Sequence, residues 1–286
     1  MDNQDAVDFE RGFTRKDYLS STAPRWCAGC GCHSLFKNLT EAYAGLKIPN
    51  ENLMLVSGIG CSSRFPYYVE SYGFHSIHGR APTVAQGIKL VNPELSVWVT
   101  TGDGDALAIG GNHFSHIMRR NPDIKVILFN NEIYGLTKGQ ASPTSTLGQK
   151  TKTTKFGNIE RPVLPLAQAI AAGATFAARV GDTDGNWITE IMMEAGKHKG
   201  IAFIEVLINC VIYADGAWEQ ITNKQYKPSN TLRLEHGKSM IFGAGNEKGI
   251  VMDGLTPKVV KIGDNGVKTE DLLVHDEKNP TLAYIL

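Results

Sequence analysis

The stretch Leu95–Gln140 leaves few choices of fold. It opens with Leu95-Ser-Val-Trp-Val-Thr-Thr101, short, β-branched and mostly apolar, as a strand buried on both faces should be. Gly102-Asp-Gly-Asp105 follows, and its glycines permit a turn tight enough to bring main-chain amides against a ligand. Leu107, Phe114, Ile117 and Met118 then recur at helical spacing until Asn121-Pro122 ends the run. Ile124-Lys-Val-Ile-Leu-Phe129 reads as a second buried strand, which delivers Asn130-Asn131. Strand, helix and strand in this succession make a βαβ unit with parallel strands.

Asp103 and Asn131, 28 positions apart, each follow one of these strands. Both therefore fall at the carboxyl edge of the sheet, where open α/β sheets take their ligands. A carboxylate, an amide oxygen and a nearby main-chain carbonyl are hard donors suited to Mg²⁺ or Ca²⁺. Mg²⁺ commonly sits between few carboxylates and the oxygens of a bound phosphate. The first turn of the helix adds unpaired N–H groups for that phosphate. A diphosphate held by the turn and a divalent cation is the simplest reading; an ordinary βαβ turn with an Asp at a helix start is the alternative. A Walker-type site is disfavoured, because no Gly-x-x-x-x-Gly-Lys-Ser/Thr occurs.

Both halves together resemble the thiamine diphosphate signature, Gly-Asp-Gly followed at about this distance by a double Asn. The resemblance implies that Asp103, the Asn131 side chain and the Ile133 carbonyl hold the metal.

The 286 residues are enough for one large domain or two small ones. Lys+Arg and Asp+Glu are both 29, so no basic excess argues for nucleic acid. The start, Met1-Asp-Asn-Gln-Asp-Ala, is unlike a signal peptide, and no apolar run approaches the roughly 18 residues of a membrane helix. A soluble, cytoplasmic chain is expected.

Along the chain, residues 1–24 are polar with Tyr18 and Leu19 as anchors. A Cys-rich loop, Arg25 to His33, feeds a helix with Leu35, Leu39, Ala42 and Leu46 on one stripe. Strands are expected over 53–57, 95–101, 124–130 and 201–208, and helices over 82–91, 165–178 and 186–198. Residues 66–80 read as a loop, and the Thr/Ser/Lys-rich stretch after Gln140 as a lid, a subunit contact or plain solvated loop. The βα rhythm is lost after 213, giving a domain over 1–213 and, over 214–286, an extension expected to wrap on the same domain or the partner subunit rather than stand as an independent domain. The fold class expected is α/β, a mostly parallel sheet with helices on both faces. Each of the four strands is followed by a chemically loaded residue, Cys61, Asp103, Asn131 or Cys210, and parallel strands bring all four to one edge.

Five cysteines in such a chain point to metal or catalysis before disulfides. Cys27-x-x-Cys30 supplies two thiolates from one loop, and Cys61 with Cys210 could complete four-thiolate ligation of a [4Fe–4S] cluster or zinc. Cys32 is then spare. A redox dithiol is the alternative for the Cys-x-x-Cys, and simple burial for the lone cysteines.

Arg25-Trp-Cys-x-Gly-Cys-Gly, Ile59-Gly-Cys-Ser62, His78-Gly-Arg-Ala81, Gly102-Asp-Gly-Asp105 and Asn131-x-Ile-Tyr-Gly-Leu-Thr-Lys-Gly-Gln140 together resemble the β subunits of 2-oxoacid:ferredoxin oxidoreductases. Leu234 to Phe242 and Leu272 to Asp276 resemble the 2-oxoglutarate branch in particular. The sequence departs from the common pattern at Ala28, where many relatives carry Pro, and at Cys32-His33, where relatives often have Gly-Asp.

The resemblance implies that Cys27, Cys30, Cys61 and Cys210 hold one [4Fe–4S] cluster. It implies thiamine diphosphate contacts at Ile59, Gly60, Cys61, Ser62, His78, Gly102, Gly104, Asp105, Gly135 and Leu136. Lys138 matches a lysine near the substrate carboxylate, and Arg64 is a second candidate there. His78 is expected to donate a hydrogen bond to the diphosphate or an intermediate, whereas His75 reads as structural. The implied reaction converts a 2-oxoacid, CoA and two oxidised ferredoxins into acyl-CoA, CO₂ and two reduced ferredoxins. No Glu suited to the cofactor's pyrimidine ring is found, so an α subunit is expected to supply it in an α₂β₂ assembly. No ferredoxin-like Cys run is present, so an external ferredoxin takes the electrons. The rival readings are a non-redox thiamine diphosphate lyase or synthase with structural zinc, and an electron-transfer or scaffold subunit with a vestigial turn.

Overall fold

The structure, a computed structural model, describes residues 12–286; residues 1–11 of the polar N-terminal stretch lie outside it. The chain divides into two compact units, one reaching Ala217 and one over Trp218–Leu286. The first is built on β1 (Leu53–Ser57), β2 (Tyr72–His75), β3 (Ser96–Gly102) and β4 (Ile124–Asn130). After a short antiparallel hairpin, β5 (Ile133–Tyr134) with β6 (Gln140–Ala141), come β7 (Phe176–Gly181) and β8 (Ala202–Leu207). The six long strands form one sheet in the order β2-β1-β3-β4-β8-β7, every neighbouring pair parallel.

Every residue of β1, β4 and β8 is buried, so apolar side chains alternate into two separate cores. Leu53, Leu55, Trp98, Ile127, Ile204 and Val206 face one core; Met54, Val56, Val97, Val99, Val126 and Phe203 face the other. The first core is closed by α1 (Cys32–Leu46) with Leu35, Leu39 and Ala42, after α2 (Phe65–Tyr68) contributes Phe65 and Tyr68. On the other side lie α3 (Ala81–Val91) and α4 (Gly111–Arg120), with Ala85, Phe114, Ile117 and Met118. The short α5 (Pro165–Ala171) adds Ala169 there, whereas α6 (Asn186–Lys197) adds Ile188, Met192 and Ala195 beside α1. Each fully buried side chain of this size contributes about 1.5–3 kcal/mol. Tyr18 is itself buried, its hydroxyl donating to the carbonyl of Ile48 at 2.6 Å.

Two strands and a helix break depart from the sequence expectations. Tyr72–His75, read as loop, is an edge strand whose residues are all exposed, so it lacks the apolar signal of its neighbours. Within the stretch read as one helix over 165–178, the helix stops at Ala171 and Phe176–Gly181 forms the opposite edge strand. Its Ala-rich composition mimics a helix, while its burial alternates as an edge strand's does. The helix after the Gly-Asp-Gly-Asp turn begins as a π turn over Asp105–Ile109 before α4; such turns recur at functional sites.

The second unit holds an antiparallel sheet of β9 (Ile241–Phe242), β10 (Lys248–Asp253) and β11 (Thr256–Lys261) around Met240, Ile250 and Leu282. Among the described residues, no helix is long and apolar enough to cross a membrane.

Candidate functional site

The chain runs from β1 outward to β2 and then returns to β3 on the other side of β1. The crevice beyond the carboxyl ends of β1 and β3 is thus a topological switch point, the place where such sheets bind ligands. A cleft opens there. Of the residues expected at the site, Ile59, Gly60, Cys61, Ser62, His78, Gly102, Asp103, Gly104, Asp105, Asn131, Ile133, Gly135 and Leu136 all line it, joined by Cys32, Phe129, Tyr134 and Thr137.

Asp103 is 3% exposed. Its Oδ2 accepts from Ser142 Oγ at 2.6 Å and lies 2.6 Å from Thr144 Oγ1, which is also 2.9 Å from Asn130 Oδ1. Burial outweighs these bonds and pushes the carboxyl up to about 6. A cation beside it would favour the ionised form. Asn131 Oδ1 accepts from the Ile133 amide at 3.3 Å, which turns the amide group over the β5 turn. One carboxylate, one amide and one carbonyl suit Mg²⁺ only if phosphate and water oxygens complete the shell. Among the described residues no group of three or more His, Cys, Asp or Glu is placed to hold a metal ion, and this applies to Cys27, Cys30, Cys61 and Cys210 as well.

The floor of the cleft is shaped for an anion. A Cβ on Gly104 would lie 2.2 Å from Cε1 of Tyr134, whose hydroxyl donates to the Gly104 carbonyl at 3.0 Å. The Ser62 hydroxyl is buried without a hydrogen-bond partner and faces Gly102. An orphaned donor beside glycine amides is a place where a phosphate oxygen fits. Gly104→Ala is expected to cost about 1–3 kcal/mol through the Tyr134 clash. Thermal melting reads this as a lowered Tm; an unchanged Tm contradicts the contact.

Asp105 is 2% exposed, and its carboxylate is used inside the protein. Oδ1 accepts from the Gly79 amide at 2.7 Å and lies 2.5 Å from His78 Nδ1, and Oδ2 accepts from Thr101 Oγ1 at 2.6 Å.

All five cysteines are free thiols. The Cys27–Cys30 loop docks beside the exit of β8, where the Gly31 amide donates to the Asn209 carbonyl at 3.3 Å and Gly29 approaches Val211. The Trp26 indole donates to the Cys61 carbonyl at 2.8 Å, pinning that loop to the cleft. Cys61 is pushed up to about 11 by burial, with Cys30, Cys210 and Cys27 adding to the effect. Cys30 is lowered to about 7, chiefly by a hydrogen bond from the Cys32 thiol. Cys32, read as spare, is buried and lines the cleft beside the expected ligands.

Lys138 and Arg64 do not line this cleft. Lys138 is exposed in the β5–β6 turn at φ 77°. Arg64 reaches the Arg25 carbonyl at 3.4 Å and lines an adjoining cleft of about 810 Å³, which shares Ile59, Gly60 and Leu136 with the first.

Sequence reasoning missed Glu132, Ser142 and Thr144. Glu132 is buried at φ 56° and pushed up to about 7 by desolvation, with Asp103 and Glu205 adding repulsion. The dense Ser/Thr run after Gln140 was the available signal, but only tertiary contact ties it to Asp103.

Residues 58–206 match the family model described as thiamine pyrophosphate enzyme, C-terminal TPP binding domain. The chain is 45% identical over 273 residues to the 2-oxoglutarate oxidoreductase subunit KorB of Mycobacterium tuberculosis, covering 95% of this chain and 72% of the relative. It is 44% identical over 249 residues to the β subunit of 2-oxoacid:ferredoxin oxidoreductase 2 of Aeropyrum pernix, covering 87% and 79%. Among solved structures it is similar to 2-oxoglutarate:ferredoxin oxidoreductase from Magnetococcus marinus with 2-oxoglutarate, coenzyme A and succinyl-CoA bound. That match has a TM-score of 0.71 and 38% identity, and covers 75% of this chain and 72% of the other. With a family model spanning half the chain and close relatives along most of it, the chain belongs to the thiamine pyrophosphate enzymes as a β subunit of the 2-oxoacid:ferredoxin oxidoreductases, most like their 2-oxoglutarate branch.

Proposed function

We propose that the chain is the thiamine diphosphate and iron–sulfur half of a CoA-dependent 2-oxoglutarate:ferredoxin oxidoreductase, active only with an α subunit. The supporting observation is that a single loop, Ile59–Ser62, lines the cofactor cleft and carries Cys61, while Trp26 ties it to the Cys27–Cys30 loop. Donor and acceptor of electrons are therefore served by the same rim of the sheet.

In this reading Asp103, Asn131 and the Ile133 carbonyl hold Mg²⁺, and Ser62 with the amides around Gly104 holds the diphosphate. Thiamine diphosphate, when bound, supplies the electron sink for decarboxylation. Cys27, Cys30, Cys61 and Cys210 would hold one [4Fe–4S] cluster, which would supply one-electron transfer toward an external ferredoxin. Phe129 and Ile133 keep the inner wall apolar and exclude water. In this reading Arg64, from the adjoining cleft, and Lys138, from the exposed β5–β6 turn, bind the carboxylates of the dicarboxylic substrate. The α subunit supplies the pyrimidine-facing Glu and helps to bind CoA. The same machinery serves the reverse reaction, reductive carboxylation.

Loss of a charge-assisted contact of this kind costs about 1.5–3 kcal/mol. Lys138→Ala is therefore expected to raise KM for 2-oxoglutarate about tenfold or more with a smaller effect on kcat. An unchanged KM removes Lys138 from the substrate site. The test of the whole reading is CoA-dependent, anaerobic reduction of ferredoxin or a viologen dye by the chain co-purified with its partner. Activity with 2-oxoglutarate well above pyruvate is expected. A complex that decarboxylates without reducing the acceptor supports the non-redox lyase instead.

A further inference from the structure

The hydrogen-bond set around Asp105 determines which nitrogen of His78 carries the proton. A neutral imidazole has one N–H donor and one acceptor, and an ionised carboxylate only accepts. Oδ1 of Asp105 already accepts from the Gly79 amide at 2.7 Å, so it faces His78 Nδ1, 2.5 Å away, as an acceptor. The hydrogen between them belongs to the ring. Oδ2 is held by Thr101 Oγ1 at 2.6 Å. A Cβ on Gly58 would lie 1.7 Å from that same oxygen, so the carboxylate packs directly against the main chain just after β1. The Asp105 side chain is 1% exposed and that of His78 36%, and His78 lines the cleft.

We propose that Asp105 is a positioning residue that fixes the Nδ1–H tautomer of His78 and presents Nε2 to the cleft as a proton acceptor. This rests on reading the cleft as the cofactor and substrate site. It reverses the sequence expectation for His78: a neutral ring held in this way cannot donate into the cleft, because its one hydrogen is spent on Asp105. The ring can instead take a proton at Nε2 from a group bound there. The imidazolium so formed keeps its Nδ1–H bond to the Asp105 carboxylate, and the new positive charge lies against that negative one. The pair's net charge rises from −1 to 0, and the bound group that gives up the proton keeps the electron pair and takes on the matching negative charge. Asp105 itself touches neither cofactor nor substrate through its carboxylate.

The test reads the ring directly. The complex is prepared with ¹⁵N-histidine in this chain, and the His78 signals are assigned in solid-state ¹⁵N spectra by difference against His78→Gln. Without cofactor, the neutral wild-type ring is expected to show a protonated Nδ1 and a bare Nε2; a protonated Nε2 overturns the proposal. Asp105→Asn, which can turn its NH₂ toward the ring, is expected to lose that preference. It should lower kcat about 10²-fold or more, the scale of a displaced acid–base group, with thiamine diphosphate affinity retained. A merely structural Asp105 would lower the melting temperature of the variant and leave the tautomer unchanged, which also overturns the proposal. Should Asp105→Asn fail to fold, the wild-type spectrum alone decides. A wild-type complex that binds no thiamine diphosphate defeats the cofactor reading, and the ring assignment, made without cofactor, stands or falls separately.

Discussion

Asp103→Asn is expected to raise the melting temperature of the cofactor-free chain at pH 7 while abolishing its magnesium-dependent affinity for thiamine diphosphate. The two effects share one cause. Burial lifts the Asp103 carboxyl from 3.8 to about 6, so the folded chain resists an ionisation that the unfolded chain undergoes freely. The sign follows for a raised acid: below about pH 4 both states hold the proton and nothing is lost. Between pH 4 and 6 the unfolded state ionises first and stability falls with rising pH. At pH 7 the full cost stands at about 3 kcal/mol. Asn carries no such cost, and the Ser142 and Thr144 hydroxyls can still pair with it. For a unit of this size each kcal/mol recovered is worth about 2–4 °C. Mg²⁺ held by Asp103, as proposed, would offset the cost in the wild type by supplying the missing opposite charge, and Asn could not match the carboxylate as a ligand. The affinity loss is expected to exceed about 100-fold, the upper range for residues one shell further out. Melting curves at pH 5 and pH 7, with and without Mg²⁺ and thiamine diphosphate, check both halves. The stabilisation by cofactor should shrink at pH 5 as protons compete with the cation. A variant that is less stable at pH 7 without cofactor, or that binds cofactor as the wild type does, contradicts the account.

Cys61→Ser should separate the two cofactors. Loss of one thiolate from a four-thiolate site is expected to remove most of the iron and its visible absorbance, and with it ferredoxin reduction. Thiamine diphosphate binding should persist, since the glycine turn, Asp103 and Asn131 are untouched and the Ser hydroxyl is smaller than the thiol it replaces. Cys210→Ser should behave alike, its sulfur standing 3.3 Å from the position a Gly135 Cβ would take. Cys32→Ser keeps a donor beside Cys30 and should retain iron. Iron content, the visible spectrum and bound thiamine diphosphate are read on the same sample. A Cys61→Ser complex with full iron removes Cys61 from the cluster, and one that loses both cofactors shows that the loop collapses as a unit.

What could be read from the sequence divides along physical lines. Strands β1, β3, β4 and β8 were legible because burial on both faces makes them continuous apolar runs. That Asp103 and Asn131 line one cleft was legible because a βαβ unit places the ends of both strands on one edge whatever the helix does. Edge strands β2 and β7 were not: one is exposed along its length and the other alternates within an Ala-rich segment. The contacts of Ser142 and Thr144 with Asp103 span about 40 positions of sequence, and no local pattern announces them. Glu132 escaped notice because its left-handed backbone and burial arise only once the β5–β6 hairpin folds over β4. Asp105 lines the same cleft as Asp103 and Asn131, but its bonds to His78, Gly79 and Thr101 depend on the crossover from β1 to β3.

The most direct measurement is the cofactor content of the chain purified anaerobically with its partner subunit. Thiamine diphosphate, magnesium, iron and sulfide are quantified per chain alongside the visible spectrum before and after reduction. The account requires thiamine diphosphate with Mg²⁺ and iron and sulfide in the proportion of one [4Fe–4S] cluster, bleached by 2-oxoglutarate and CoA. A complex that carries thiamine diphosphate but no iron, or zinc in its place, contradicts it.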